Sequence, residues 1–338
     1  MASARSRLLN LFTRVIMWLI FRKHRPVTEF RPRMVKMDAR RAKPPPQGIT
    51  YEDGQEPVEG RWVRNAGAGS QKQMILYLHG GAYFLRLPHG HSAMVADICA
   101  RAGVSAFMPW YRLAPEHPYP AAPNDCLEAY RRLLESGVRS ADVVVMGDSA
   151  GGNLAFSLLH LIKRESLPMP AGVIGVSPIT DCAQISGTWR LNKLRDPMYL
   201  VQAAVNPAEW YFKGVSPTEP VLSPYYGDFS GFPPMYFMVG ALEALLEDSV
   251  GMARKAVDCG IPAKVQIWQG MPHCFPLHDV LPEAEHARKQ MVDWVMELRK
   301  TRASVDRSQL YRSCVEVYNL RPWTGRIECE TNDVYLTS

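Results

Sequence analysis

Gly147-Asp148-Ser149-Ala150-Gly151 is the stretch that most restricts what this chain can become. It follows an apolar run, Asp142-Val143-Val144-Val145-Met146, and precedes a run with helical character, Asn153-Leu154-Ala155-Phe156-Ser157-Leu158-Leu159. Strand, sharp turn and helix in that order place a serine at the turn. Small neighbours make so tight a backbone sterically possible, and the helix N-terminus beneath the serine favours negative charge beside it. The pentapeptide alone is a weak signal, because its residues are common. The rest of the chain has to decide whether Ser149 does chemistry or only makes a turn.

The context is a repeated alternation of strand-like and helical segments. Met74–Leu78, Val104–Met108, Val143–Met146, Ala171–Val176, Met235–Val239 and Lys264–Trp268 read as strands. Residues 91–101, 121–136, 150–164, 246–259 and 283–300 have helical spacing. Such alternation implies a mostly parallel sheet flanked by helices, an α/β fold with ligands at the carboxyl ends of strands, where Ser149 falls. The 338 residues can bury a sizeable core as one large domain or two small ones. Residues 181–222 interrupt the alternation with Trp189, Tyr199, Trp210, Tyr211 and Phe212, the pattern of a lid or binding element. From Thr301 onward, Cys314–Tyr318 and Ile327–Glu330 are strand-like. They fit an appended hairpin, an oligomer contact or a loose tail.

A neutral serine needs a base, a carboxylate to orient that base, and N–H donors for an oxyanion. Leu78-His79-Gly80-Gly81-Ala82-Tyr83 follows the strongest strand candidate. Its small residues expose backbone N–H groups, so Gly80, Gly81 and Ala82, together with Ala150 beside the serine, are the candidate oxyanion hole. His79 is expected to pin this loop by hydrogen bonding. His273 lies in a turn-rich segment after the last strand candidate and is the favoured base over His278. Glu243 is the first carboxylate past the Met235–Val239 strand. It is favoured as the acid over Glu247 and Asp248, which read as first-turn residues of the next helix. Tyr83, Trp210 and Tyr211 are candidate substrate-binding residues.

Charge and cysteine content narrow the partners. The net charge of +6 is uneven: residues 1–45 carry +10 and the remainder −4. The body therefore has no nucleic-acid footprint. No zinc-like Cys/His cluster, Walker loop or dinucleotide fingerprint stands out, so neither metal nor cofactor is expected. Seven scattered cysteines and no Asn-x-Ser/Thr site favour a reducing, intracellular and cytoplasmic setting. Residues 8–21 form an apolar run interrupted by Arg14 and followed by Arg22, Lys23 and Arg25. The run is shorter than the roughly 20 residues of a spanning helix. It reads as an amphipathic helix packed on the protein or, through residues 8–25, as a peripheral membrane contact. Oligomeric state stays open.

With these residues assembled, the chain resembles the hormone-sensitive-lipase-like family of α/β-hydrolase-fold carboxylesterases. His79-Gly80-Gly81-Ala82, Tyr111-Arg112-Leu113-Ala114-Pro115-Glu116, Gly147–Asn153 and the His273 turn match its pattern. So do Ser177-Pro178, Ser223-Pro224 and Gly231-Phe232-Pro233-Pro234. The resemblance runs over about residues 60–300. It implies serine carboxylic-ester hydrolysis of a small-molecule ester, hydrophobic and short in its acyl part, through Ser149, His273 and Glu243. It also implies a cap made by the N-terminal segment (residues 1–46) and the 181–222 insertion, on a catalytic domain of residues 47–300 followed by an extension, residues 301–338. The family usually has Asp where this chain has Glu243. Acyl transfer, lactonisation or cyclisation on the same scaffold, and a non-catalytic receptor, are the competing expectations.

Overall fold

The computed structural model describes residues 3–21, 27–56, 58–68, 73–198, 206–303, 314–320 and 327–330. Its strands are β1 (Ile49–Gly54), β2 (Gly60–Asn65), β3 (Met74–Leu78), β4 (Ser105–Pro109), β5 (Val143–Asp148), β6 (Gly172–Val176), β7 (Met235–Gly240), β8 (Ala263–Trp268), β9 (Cys314–Leu320) and β10 (Ile327–Glu330). Its helices are α1 (Ala4–Phe21), α2 (Val27–Ala39), α3 (Pro88–Ala102), α4 (Ala121–Glu135), α5 (Ala150–Arg164), α6 (Gly187–Leu191), α7 (Leu246–Asp258) and α8 (Pro282–Ala303). The strands form one sheet in the order β1-β2-β4-β3-β5-β6-β7-β8-β9-β10. Pairing is parallel from β4 through β9 and antiparallel at the two margins.

Every residue of β3, β5, β6 and β7 is buried, which is why these strands read as continuous apolar runs. Alternate side chains feed two cores. Leu76, Val145 and Phe237 pack with residues of α4, α5 and α7 on one face, while Ile75, Val144 and Tyr236 pack with α3 and α8 on the other. The register carries the function. Leu78 pairs with Gly147, Asp148 with Val176 and Gly240 with Trp268, so five strands end at one edge of the sheet. The loops holding His79, Ser149, Ser177, Glu243 and His273 all leave from that edge.

The sequence reading did not anticipate β1 and β2, whose charged, partly exposed residues suit a sheet margin, or α2, whose helical pattern is broken by Pro32. Of the three expectations for the tail, the hairpin is observed: β9 pairs in parallel with β8, and β10 folds back on β9.

The N-terminal segment lies on the body through specific bonds. Arg31 pairs with Glu116 and donates to the Phe84 and Ala114 carbonyls. Asp38 accepts the His89 and Gly90 N–H groups, capping α3, which has no capping side chain of its own. Ser6 and Asn10 of α1 both donate to the carbonyl of Gly270 at 3.0 Å, in the loop that leads to His273.

Candidate active site

The Gly147–Gly151 turn is as sharp as its sequence implies. Ser149 has φ 53 and ψ −119, a conformation that costs energy for any residue with a Cβ and persists only where the surroundings impose it. A Cβ on Gly147 would collide with the backbone of Gly151, and one on Gly151 with the backbone of Leu78 and His79. Side chains at either position would break the crossing of β5, α5 and the β3 loop that raises Ser149.

Three side chains from three loops meet there. The Ser149 Oγ is 2.9 Å from Nε2 of His273, and Nδ1 of His273 is 2.8 Å from Oε2 of Glu243. Glu243 is fully buried, and its other oxygen accepts the Gly240 N–H at 2.6 Å and the Ser177 hydroxyl at 2.7 Å. Burial opposes a charge on the His273 ring. The Cys274 and Glu243 side chains beside it more than offset that and raise its pKa above the ordinary histidine value. His278 makes no hydrogen bond with Ser149 among the described residues. Asp248 is turned away from the site: its Oδ2 accepts the Thr180 and Asp181 N–H groups.

The Gly81, Ala82 and Ala150 N–H groups have no hydrogen-bond acceptor among the described residues, and all three residues lie at the serine. Gly80 is different. Its N–H donates to Oδ1 of Asp148 at 2.8 Å, so this amide is not available to a substrate, and Gly80 is removed from the oxyanion set. His79 pins the loop as expected. Its Nδ1 faces the Gly80 carbonyl at 2.8 Å, its ring stacks on Tyr111, and burial lowers its pKa to about 3.

A cavity of about 210 Å³ opens over Ser149 and His273. Met17, Phe30 and Met34 of the N-terminal helices and Trp189, Met198 and Phe212 of the insertion line it, so both segments reach the site. Tyr83 also lines it. Trp210 and Tyr211 do not, which corrects the sequence-based assignment: Tyr211 stacks behind Tyr83 with ring centroids 3.9 Å apart, and Trp210 meets Phe84 edge-on. Ring pairs of this kind add about 0.5 to 1.5 kcal/mol beyond the area they bury, so both residues are accounted for by packing. Tyr199 lies outside the described residues.

Sequence reasoning also missed the residues that hold the backbone at Glu243. Asn192 donates to the Glu243 carbonyl at 2.9 Å, Thr188 to the Ala244 carbonyl at 2.8 Å, and Asp196 accepts the Ala244 N–H at 3.0 Å. Burial, with Glu243 nearby, raises the Asp196 pKa to about 6. These are long-range contacts of an insertion with little periodic signal, so no local pattern marks them.

The chain is similar to known esterases. The family model of the α/β-hydrolase fold matches residues 75–277. An acetyl-hydrolase from Streptomyces hygroscopicus is 35% identical over 227 residues, covering 67% of this chain and 75% of the relative. An esterase from Acinetobacter venetianus is 32% identical over 231 residues, covering 68% and 76% respectively. A solved esterase of the bacterial hormone-sensitive lipase family superposes with a TM-score of 0.79 at 30% identity, over 88% of this chain and 99% of that one.

Proposed function

The chain belongs to the hormone-sensitive-lipase-like α/β-hydrolases and is a carboxylic-ester hydrolase, and from that premise we propose that Ser149, His273 and Glu243 are its nucleophile, base and acid. As Ser149 Oγ attacks the ester carbonyl, its proton passes to Nε2 of His273. Glu243 keeps the other ring proton on Nδ1 and stabilises the imidazolium that forms. The Gly81, Ala82 and Ala150 amides receive the developing oxyanion. Collapse of the intermediate returns the proton from Nε2 to the leaving alcohol, and water repeats the cycle on the acyl-serine. The observation that carries the assignment is the unbroken pair of 2.9 and 2.8 Å contacts from Ser149 through His273 to Glu243. A fluorophosphonate should label the wild type at Ser149. Ser149→Ala should lose about 10⁴-fold or more in kcat on a p-nitrophenyl ester; a variant at the wild-type rate would overturn the reading.

The substrate is a small-molecule ester whose preferred form, in this reading, has a hydrophobic alcohol and a short acyl group. The apolar cavity wall supports the first part, and the name of the Streptomyces relative supports the second. A kcat/KM profile over acyl lengths tests it, with a maximum expected at acetyl to butyryl and a maximum at long chains counting against it.

Residues 1–46 act as part of the cap in this reading, and α1 also touches a membrane surface. Leu8, Leu11, Phe12, Val15, Trp18 and Leu19 lie on the outer face of α1 and are 48–68% exposed. No described helix is long and apolar enough to cross a membrane, so the contact proposed is peripheral.

A further inference from the structure

Asp148, between Gly147 and the nucleophile, is 2% exposed, and the triad does not use it. Its Oδ1 accepts the Tyr77 hydroxyl at 2.5 Å and the Gly80 N–H at 2.8 Å. Its Oδ2 faces Nε2 of His91 at 3.3 Å and, more distantly, the Cys274 thiol. His91 is 4% exposed, and its Nδ1 lies 2.8 Å from the Leu87 carbonyl. A carbonyl oxygen can only accept, so Nδ1 carries a proton. Nε2 faces a carboxyl oxygen, so a second proton lies between ring and carboxyl. Two donors already on Oδ1 favour the ionised carboxylate, and the second proton therefore belongs to the ring.

We infer that the buried His91–Asp148 pair is a positioning device for the oxyanion loop: His91 supplies a fixed positive charge that keeps Asp148 ionised and holding the Gly80 N–H. Gly80 immediately precedes the Gly81 and Ala82 amides, and a Cβ on Gly80 would run into the Asp148 carboxylate. The hold is therefore close enough to set where the next two N–H groups point. The pairing has a second consequence. An isolated carboxylate beside Ser149 would repel the oxyanion that forms there, whereas a neutralised one does not.

The surroundings agree with a charged ring. Tyr77 and His79 stand at centroid distances of 6.1 and 5.9 Å, and the His79 pKa of about 3 leaves that neighbour neutral. Other charged or titratable neighbours of the pair among the described residues are Tyr111, which stacks on His79, Asp38 and Arg41 from the N-terminal segment, at the first turn of α3, and Cys274 from the loop of His273. Burial works against both charges of the pair. Even so, the His91 pKa is raised, chiefly by Asp148, and the Asp148 carboxyl is held at about 2.

The inference rests on Gly81 and Ala82 being oxyanion donors, and its test separates the two ideas. In protein labelled with ¹⁵N-histidine, at about pH 8 where an ordinary histidine is neutral, both His91 ring nitrogens should show imidazolium shifts, identified by their loss in His91→Gln. The same variant should lose about 10- to 100-fold in kcat on a soluble p-nitrophenyl ester with KM nearly unchanged, up to the loss of a whole donor. A neutral His91 ring at that pH, or a folded His91→Gln with kcat within twofold of wild type, would overturn the inference. If the variant does not fold, through-bond assignment of ¹³C,¹⁵N-labelled wild type identifies the His91 ring nitrogens instead, and a neutral ring there still overturns the inference. Fluorophosphonate labelling of wild-type Ser149 reports on the triad independently.

Discussion

Ser177 donates its hydroxyl hydrogen to Oε1 of Glu243 at 2.7 Å while its oxygen accepts the Cys274 N–H at 3.1 Å. One serine at the end of β6 thus joins Glu243 after β7 to the His273 loop after β8. The link bears on how Glu243, one methylene longer than an aspartate, is held. An extra methylene adds a rotatable bond, and the cost of freezing it falls on the site. With the Gly240 N–H and Ser177 both on Oε1, the carboxylate turns only Oε2 towards His273.

Glu243→Gln should therefore lower kcat by about 10³- to 10⁴-fold, because an amide can present its N–H to Nδ1 and leave the ring in the wrong tautomer. Ser177→Ala should cost less, about 10-fold, since the Gly240 N–H remains. Glu243→Asp should fall between them, its shorter arm unable to keep both Oε1 donors and His273. Steady-state kinetics on one ester, with melting curves as a folding control, check the order. Full activity in Glu243→Gln would remove it as the acid.

In the role proposed for it, His273 must be neutral to accept the serine proton. The raised His273 pKa places the acid limb of kcat/KM above about 6.5, the ordinary value, with activity rising as pH rises through it. The stability linkage has the opposite sense. A raised histidine pKa stabilises the fold fully below the unfolded value, and this contribution is lost as pH rises through the folded pKa. The contribution of the His273–Glu243 pair to stability is thus largest where activity is lowest. A pH–rate profile checks the limb, and Ser177→Ala, which removes no contact of the His273 ring, should leave it nearly in place. A limb at or below the ordinary value would contradict the geometry.

Much of the assembly around Ser149 was legible because its residues lie in short motifs at strand ends. Ser149, Gly81, Ala82 and His273 each sit where a continuous apolar run stops, and runs buried on both faces are the least ambiguous strands. Glu243 was legible by position alone. Gly80 was misread because the residue that takes its amide, Asp148, lies 68 positions away. Trp210 and Tyr211 were misread because aromatic content marks a packing element without saying which ring faces the cavity. Ser177, Asn192 and Asp196 act through contacts between distant segments, which neither periodicity nor spacing encodes.

Asp248 offers a test of stability and acid assignment together. Burial raises its pKa to about 7, its Oδ2 accepts two backbone N–H groups, and its Oδ1 has no partner among the described residues. The folded state binds this proton more tightly than the unfolded chain, whose value is about 3.9, so stability from this group falls as pH rises from about 4 to about 7. Asp248→Asn imitates the protonated form. It should stabilise the protein at about pH 8 by about 1 to 4 kcal/mol, several degrees in Tm, and by less at about pH 5. Its kcat should stay within about twofold, because Asp248 does not touch His273. A severe loss of kcat with intact folding would move the acid role from Glu243 to Asp248.

The outer face of α1 gives the last prediction. Its exposed apolar residues at positions 8, 11, 12, 15, 18 and 19 follow helical spacing, while Ser6, Asn10 and Met17 face the body. The segment around it is strongly basic, although Arg31 and Lys43 are already paired with Glu116 and Asp279. Both features suit the headgroup region of an anionic bilayer, with the apolar side chains adding about 1.5 to 3 kcal/mol each when buried there. The protein should float with anionic vesicles at low salt, float less as salt screens the charges, and float poorly with zwitterionic vesicles. Leu11→Glu combined with Phe12→Glu should abolish flotation and leave kcat on a soluble ester unchanged, because neither side chain lines the cavity. If the wild type stays at the bottom of the gradient at low salt, α1 is a cap helix alone, and its exposed face has another partner.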